Sequence, residues 1–180
     1  MKNYIKEILG MLTLVIIIFL LLKLVVGSYA VISQSMEPGL QMGQRLLVNK
    51  IAYNFDQPDR GDIVYYKTPE GEHDQLKRVI GISGDIVEIK NRCVYINGIR
   101  ITEPYVKNAP AYTLESYQVP INHFFILGDN RSNSNDSSSG WTVPRENILG
   151  KAWLYTWPPD KWGSINNYSL DQQLSTAELP

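Results

Sequence analysis

The feature that most constrains this chain is an almost unbroken apolar run near its N-terminus, Ile8–Val26. Only Gly10, Thr13 and Lys23 depart there from Ile, Leu, Val, Phe and Met. As a helix, roughly nineteen residues that rise about 1.5 Å each span about 28 Å, which matches the hydrocarbon thickness of a bilayer. Because no polar face interrupts the run, it predicts a transmembrane helix rather than the core helix of a soluble domain.

The flanking charges predict how this helix is oriented. Lys2 and Lys6 precede the run, and after Lys23 the next basic residue is Arg45. The positive-inside rule therefore places the N-terminus in the cytoplasm and the rest of the chain outside it. The alternative is a cleaved secretory signal, for which Ser28-Tyr29-Ala30 offers small residues at a cleavage site. The run exceeds the usual signal core of about 7–15 residues, which favours a retained, single-pass anchor in the cell membrane.

Charge and cysteine content exclude several classes of protein. The 180 residues carry a formal net charge of −1, and after residue 34 there are 14 basic residues (17 less three) against 17 acidic ones (18 less one). Nucleic-acid binding needs a dense Lys/Arg patch, which this balance does not supply, so we expect no nucleic-acid partner. The single cysteine, Cys93, excludes an intrachain disulfide and a multi-cysteine metal site.

The chain after the apolar run has the pattern of short β-strands. Eight runs rich in β-branched or aromatic residues are bounded by Gly, Pro, Asn or Asp. Asn97-Gly98, between two of them, predicts a type I′ turn and a tight hairpin. No later segment keeps a 3.6-residue apolar period, so we expect a mainly β domain whose antiparallel sheets form a sandwich or partly open barrel. The eight runs are 45–51, 62–66, 76–81, 85–89, 92–96, 99–101, 123–127 and 151–155.

These patterns divide the chain into three parts. We expect a cytoplasmic N-terminus with its anchor at 1–27, an extracytoplasmic β domain at 28–162, and a flexible, polar tail at 163–180. Two stretches of the β domain do not have a strand pattern: Thr102–Asn122, with three prolines, and Gly128–Gly140, without one hydrophobic side chain. A long loop inside a compact domain is either functional or disordered.

Ser35 is the first candidate for chemistry. It lies nine steps after Val26, at most about 30 Å of extended chain, so it stays near the membrane surface. Pro38-Gly39 favours a turn just after it, which would present the Ser35 hydroxyl and backbone N–H on a bend. Taken alone, the segment is equally typical of a serine-rich linker.

Lys77 is the second candidate, because it interrupts the apolar run 76–81. A lysine has a reference pKa of about 10.4, so it serves as a base only where desolvation lowers that pKa by several units. Inside an apolar site it would suit a serine nucleophile in a Ser-Lys pair. The alternatives are an edge-strand lysine that discourages aggregation and a histidine base, His73 or His123.

The polar stretch Gly128–Gly140 is the third candidate. Its spacing excludes an EF-hand counted from Asp129, since serine and glycine stand where glycine and glutamate are required. Its hydroxyls and carboxylates would suit the orientation of a nearby lysine, and we expect Arg131 to pair with Asp129 or Asp136 and stiffen the loop. An exposed loop without a role is the alternative.

These segments, in this order behind one anchor, resemble the bacterial type I signal peptidases, or leader peptidases, over roughly residues 29–161. SQSMEPG resembles the S-x-S-M-x-P-T box of that family, RGDIVYYKTP its R-G-D-[IVL]-V box, LKRVIGISGD its K-R-x-x-G-x-x-G-D box, and GDNRSNSNDSS its G-D-N-R-x-x-S-x-D-S-R box. VPRENILGKA matches the continuation. The segments are Ser33–Gly39, Arg60–Pro69, Leu76–Asp85, Gly128–Ser138 and Val143–Ala152.

The resemblance implies a membrane-bound serine endopeptidase that removes N-terminal signal peptides from exported preproteins. It implies Ser35 as the nucleophile and Lys77 as the general base. The oxyanion donors would be the Ser33 side chain and the Ser35 N–H. Ser134 would orient the lysine. The positions that would support the site are Arg78, Asp129, Arg131 and Asp136.

The resemblance also implies the partners. The substrate would be a preprotein with a small-x-small cleavage site, bound as an extended strand, and membrane lipid would surround the anchor. No metal or organic cofactor is needed. Two alternatives remain: a self-cleaving Ser-Lys protease of the SOS-repressor type, against which the anchor argues, and a membrane-tethered β domain that binds peptides without cutting them.

Two residues depart from the pattern of the family. Gly39 stands where threonine is usual, which adds backbone freedom just after Ser35. Ser138 stands where arginine is usual, so any salt bridge of that arginine must be absent or replaced.

Overall fold

The computed structural model describes residues 2–68 and 73–177. Met1, Pro69 at the end of one resemblance box, and the last three residues of the predicted tail lie outside the described residues. The strands are β1 (Val26–Ala30), β2 (Arg45–Asn49), β3 (Ile63–Tyr66), β4 (Gln75–Gly81), β5 (Ile86–Lys90), β6 (Cys93–Ile96), β7 (Ile99–Arg100), β8 (Leu114–Gln118), β9 (His123–Leu127), β10 (Val143–Pro144), β11 (Ile148–Trp157) and β12 (Gly163–Ser164). The α-helices are α1 (Lys2–Val25) and α2 (Asp171–Ala177).

The apolar run forms the single long helix α1. Within it, Tyr4–Val25 is long and apolar enough to cross a membrane, and its apolar side chains are exposed rather than packed on the rest of the chain. The helix ends at Val25, and strand β1 begins at the next residue. Strand β1 pairs with β2 from Val26↔Asn49 to Ala30↔Arg45. The expected boundary after residue 27 therefore falls inside a strand.

The expectation of a mainly β, antiparallel fold is confirmed. One sheet has the strand order β1-β2-β11-β3-β4-β9-β10, with β12 added to β11, and a smaller sheet has the order β7-β6-β5-β8. All of these strand pairs are antiparallel. The predicted hairpin is present between β6 and β7, where Asn97 and Gly98 have φ of 53° and 80°, as a type I′ turn requires.

The hydrophobic core explains why β4 is central. The side chains of β4 are buried on both faces of the strand, so β4 lies between packed layers instead of facing water on one side. Ile80 packs with the inner residues of the small sheet, such as Val87 and Ile96. Leu76 packs on the other side of the domain with Met36 and Leu40. This arrangement places the middle of β4 in a poorly hydrated environment.

The structure differs from the prediction of a flexible tail after Trp162. Leu170 and Leu174 are buried in the core between the sheets, and Gln173 exchanges two hydrogen bonds with the backbone of Thr102. Asp171 forms an ion pair with Arg60. Leu174 lies on α2 and Leu170 directly precedes this helix. Two leucines four residues apart form an apolar repeat that is too brief to stand out in a polar sequence.

Truncating one of these leucines tests the packing of the C-terminal segment. Leu170 is fully buried, so Leu170→Ala should reduce the free energy of unfolding by about 2–5 kcal/mol through lost burial and the cavity left behind. The measurement is urea unfolding of the detergent-solubilised protein. Gln172→Ala, at an exposed position of α2, is the control and should change stability by less than about 0.5 kcal/mol. Equal stability of the two variants would contradict the packing.

Candidate active site

Ser35 lies in a turn whose place in the fold is set by buried neighbours. Met36 and Leu40 anchor the turn in the core, and the Leu40 N–H donates to the Met36 carbonyl. The Ser35 carbonyl accepts from the Asn130 N–H at 2.9 Å, and the Asn130 side chain donates to the Gln34 carbonyl at 3.1 Å. Ser35 is only 6% exposed, so the turn holds its hydroxyl at the edge of the domain interior.

Lys77 reaches this hydroxyl from strand β4. The register with β3 pairs Lys77 with Val64, and the Lys77 side chain is 1% exposed. The Lys77 amine Nζ lies 2.6 Å from Ser35 Oγ. Burial lowers the pKa of Lys77 from 10.5 to about 8, although the charges of Asp136 and Asp129 act in the opposite direction. About a tenth of the amine is therefore neutral at pH 7 and able to accept a proton.

Ser33 adds a donor beside the same hydroxyl. Its Oγ lies 3.1 Å from Ser35 Oγ, and Ser33 itself is exposed at the edge of the cleft. Ser33 therefore contacts the Ser35 hydroxyl directly. The role of the Ser33 hydroxyl and the Ser35 N–H as oxyanion donors stays a prediction.

A buried ion pair joins β4 to the polar loop 128–140. The Arg78 guanidinium donates to both oxygens of Asp129, at 2.9 and 2.8 Å, and also to the Gly61 carbonyl at 2.7 Å. Arg78 is 2% exposed and Asp129 is fully buried. Breaking such a pair leaves an uncompensated buried charge, so this contact holds the start of the loop against the strand that carries Lys77.

Arg131 is also buried, but the prediction of its partner was wrong. It forms a two-pronged ion pair with Glu103 and donates from Nε to the Gly128 carbonyl at 3.0 Å. Asp129 and Asp136 do not pair with it, because Arg78 occupies Asp129 and backbone and hydroxyl donors occupy Asp136. Arg131 is therefore bound by a carboxylate from a distant segment, and its role in stiffening the loop stays a prediction.

Asp136 explains how the loop accommodates Ser138. One Asp136 oxygen accepts from the Gly128 N–H at 2.9 Å, and the other accepts from the Ser138 N–H and hydroxyl at 3.1 and 2.7 Å. These bonds cap the short 3₁₀ turn Ser137–Ser139. The hydroxyl of Ser138 therefore bonds the carboxylate directly at the position where the family pattern has arginine.

Ser134 and Gly39 are the remaining positions of interest. Ser134 Oγ is buried beside Gly128 and has no hydrogen-bond partner within residues 2–68 and 73–177, so the role of Ser134 toward Lys77 stays a prediction. The backbone freedom expected at Gly39 is limited by the Tyr155 hydroxyl, which donates to the Gly39 carbonyl at 2.9 Å.

Neither histidine forms a hydrogen bond with Ser35 Oγ among the described residues. The His123 ring bonds the Thr142 hydroxyl at 2.9 Å, and His73 lines a cavity of about 150 Å³ beside Ser33. Apolar side chains dominate this cavity, which Ala30, Val31, Ile32, Met36, Tyr65 and Leu76 line. The contact partner of Ser35 Oγ that can act as a base is Lys77.

Strand β4 pairs with β9 over only part of its length. Among the described residues, this pairing runs from Arg78 to Gly81. Gln75 and Leu76 precede the paired part of β4, and both line the cavity.

Several residues of the segment 102–110 surround this site, and no sequence pattern predicted them. Glu103 pairs with Arg131, the Tyr105 ring lies 4.0 Å from the Arg78 guanidinium, and Lys107 pairs with Glu37. A buried arginine does predict a carboxylate partner somewhere, but nothing in the local pattern identifies which one.

Comparisons with known proteins show which family this chain is similar to. The profile of the signal peptidase, peptidase S26 family matches residues 1–157. A probable signal peptidase I-1 of Synechocystis sp. is 37% identical over 177 residues, covering 93% of this chain and 90% of the relative. Signal peptidase IB of Staphylococcus aureus is 31% identical over 175 residues, covering 87% and 91%. A crystal structure of a signal peptidase I from Enterococcus faecalis has a TM-score of 0.49 and 28% identity, covering 53% of this chain and 97% of that one.

Close packing around Gly128 gives a test of the site geometry. A Cβ at this position would overlap the Ser134 side chain and lie 2.6 Å from the Ser35 carbonyl oxygen. Gly128→Ala should therefore lower the free energy of unfolding by about 1–3 kcal/mol, measured by urea unfolding. Gly39→Ala is the matched control, because its Cβ would meet atoms no nearer than 3.5 Å. Comparable stability of the two variants would contradict this geometry.

Proposed function

This chain belongs to the signal peptidase, peptidase S26 family, and we propose that Ser35 and Lys77 form the catalytic dyad with which it removes signal peptides from exported preproteins. The observation that carries the proposal is the 2.6 Å contact between the Lys77 amine and the Ser35 hydroxyl in a buried site. The enzyme is a serine endopeptidase, and its nucleophile needs a base that is neutral at the working pH.

The first half of the reaction is acylation. Neutral Lys77 takes the proton of the Ser35 hydroxyl while Ser35 Oγ attacks the scissile carbonyl carbon. The carbonyl oxygen becomes an oxyanion, which the Ser33 hydroxyl and the Ser35 N–H stabilise, each donor being worth about 3–4 kcal/mol. Lys77 then gives its proton to the departing amine, the C–N bond breaks, and the signal peptide remains as an ester on Ser35.

The second half is deacylation. Lys77, neutral again, takes a proton from a water molecule that attacks the ester carbonyl. The same two donors stabilise the second oxyanion. The bond from the carbonyl carbon to Ser35 Oγ breaks, Lys77 returns the proton to that oxygen, and the cleaved signal peptide leaves with a free carboxylate.

The cleft supports a substrate with small residues at the cleavage site. An extended signal peptide would pair with β4 at Gln75–Leu76 and place alternate side chains toward the apolar cavity beside Ser33. The cavity has a volume of about 150 Å³, and the substrate side chains on one face of the extended peptide would share it. This volume favours small side chains. A small-x-small sequence places both of its small residues on that face.

The anchor gives the proposed location. Helix α1 would cross the cell membrane once, with the N-terminus in the cytoplasm and the β domain outside, as the basic residues before the helix favour. Lipid then contacts the exposed apolar side chains of α1. A preprotein whose signal peptide lies in the same membrane is held near the site at a raised effective concentration.

Removal of either member of the dyad tests the proposed roles. Ser35→Ala and Lys77→Ala should each lower cleavage of an added preprotein by about 10³-fold or more, because the remaining donors cannot replace the nucleophile or its base. Cleavage is followed by gel electrophoresis with detergent-solubilised enzyme, and circular dichroism checks that each variant is folded. If the wild type binds preprotein but does not cleave it, the result would support the peptide-binding alternative. If the wild type cleaves only its own chain, the result would support the self-cleaving alternative.

The pKa of Lys77 predicts the pH dependence. Because the neutral amine is the active form and its pKa is about 8, kcat/KM should rise about tenfold per pH unit below pH 8 and level off above it. The measurement is cleavage of a signal-peptide substrate from pH 5 to 10. A midpoint near 6.5 would instead indicate a histidine base and contradict the assignment of Lys77.

A further inference from the structure

We propose that residues 103–107, here called the clamp, are a positioning element for the active site, and that Glu103 is its main residue. The inference rests on the proposed function of Ser35 and Lys77. The clamp lies in the proline-containing stretch that has no role in the reaction as described above, yet it contacts all three segments that make up the site. These segments are the Ser35 turn, strand β4 and the polar loop 128–140.

The strongest contact is between Glu103 and the polar loop. The two oxygens of Glu103 accept from both terminal nitrogens of Arg131, with one of these bonds at 2.9 Å. The Arg131 side chain is fully buried and that of Glu103 is 10% exposed. Arg131 also donates to the Gly128 carbonyl, and Gly128 packs against both the Ser35 carbonyl and Ser134. The Glu103 carboxylate therefore fixes an arginine that supports the backbone directly beside the nucleophile.

The second contact is with strand β4. The Tyr105 hydroxyl donates to Glu103 at 3.0 Å, so the two clamp residues hold each other. The Tyr105 ring lies 4.0 Å from the Arg78 guanidinium, which itself binds Asp129 through two hydrogen bonds. Arg78 follows Lys77 directly in β4. The clamp thus covers the ion pair that fastens the base-carrying strand to the loop.

The third contact is with the nucleophile turn. Lys107 Nζ binds the Glu37 carboxylate at 2.8 Å, two residues after Ser35, and the Lys107 N–H donates to the Asp129 carbonyl at 3.1 Å. One residue later, Asn108 forms an isolated parallel bridge with Asn130, whose N–H binds the Ser35 carbonyl. The clamp therefore ties the turn and the loop to each other.

These contacts predict a specific kinetic effect. Ser35 and Lys77 are carried by different segments, so their separation depends on the contacts that hold those segments together. A misplacement of about 1 Å between reacting groups can cost about 10²-fold in rate. The proposed substrate cavity is lined by other residues, so loss of the clamp should lower kcat while KM changes little.

The first test changes the charge of Glu103. Glu103→Gln keeps the shape of the side chain but leaves buried Arg131 without its counter-charge, so we expect kcat to fall about 10–100-fold and KM to change less than about twofold. Glu103→Asp, which keeps the charge, should recover part of the loss. Glu88→Gln is the matched control, because Glu88 pairs with Lys90 at 3.1 Å in an exposed ion pair on β5. All values are expressed per folded enzyme, measured by circular dichroism.

A second variant tests the other end of the clamp without risk to folding. Lys107→Met removes a surface ion pair whose side chains are 45% and 21% exposed, and Lys90→Met removes one with side chains 50% and 25% exposed. Both changes should leave stability within about 1 kcal/mol. If the clamp positions the nucleophile turn, Lys107→Met lowers kcat about 2–5-fold and Lys90→Met does not.

The outcomes separate the two proposals. The clamp is supported if the wild type cleaves preprotein and if kcat falls in Glu103→Gln and Lys107→Met but not in their control variants. Two results together would overturn the clamp alone, provided that the wild type cleaves preprotein. Lys107→Met would have the same kcat as Lys90→Met, and Glu103→Gln would either match Glu88→Gln or change KM by as large a factor as kcat. No cleavage by the wild type would overturn the proposed function and the clamp with it.

Discussion

The burial of the Lys77 amine against the Ser35 hydroxyl is the interaction on which the rest of the site depends. An amine in water has a pKa near 10.4 and is almost never a base at neutral pH. Burial lowers the pKa of Lys77 to about 8 because β4 is covered on both faces by packed residues. The two-sheet architecture thus has a chemical consequence, since a strand with one solvated face would leave the pKa of this lysine near its ordinary value.

The two buried carboxylates nearest Lys77 are each bound by partners other than the Lys77 amine. Asp129 is bound by Arg78 through two hydrogen bonds, and Asp136 is bound by the Gly128 N–H and by Ser138. Both carboxylates act on the lysine through space, yet the partner that the Lys77 amine reaches is a hydroxyl. A direct carboxylate partner would raise the pKa of the amine and remove the base. At position 138, where the family pattern has arginine, the serine hydroxyl donates to Asp136.

Local patterns predicted the parts of this molecule that depend on local physics. Alternating β-branched residues identified most strands, and Asn97-Gly98 identified its hairpin, because strand and turn preferences act between near neighbours. The resemblance boxes identified Ser35 and Lys77 as candidates, and the structure brings these residues together. Contacts between distant segments were not predictable in this way. Glu103 and Arg131 are 28 residues apart, and the packing of Leu170 between the sheets depends on a surface that exists only after folding.

The connection between α1 and β1 adds a constraint on where the reaction takes place. Helix α1 ends at Val25 and β1 begins at Val26, so the described chain has no linker between the apolar helix and the sheet. Strand β1 pairs along its whole length with β2, which pairs in turn with β11. Ser35 follows the end of β1 by five residues, at most about 18 Å of extended chain. Strand β1 continues directly from helix α1. If α1 spans the membrane as proposed, Ser35 therefore lies within about 18 Å of the end of β1. With the proposed topology, the enzyme would meet a signal peptide where the peptide leaves the same bilayer.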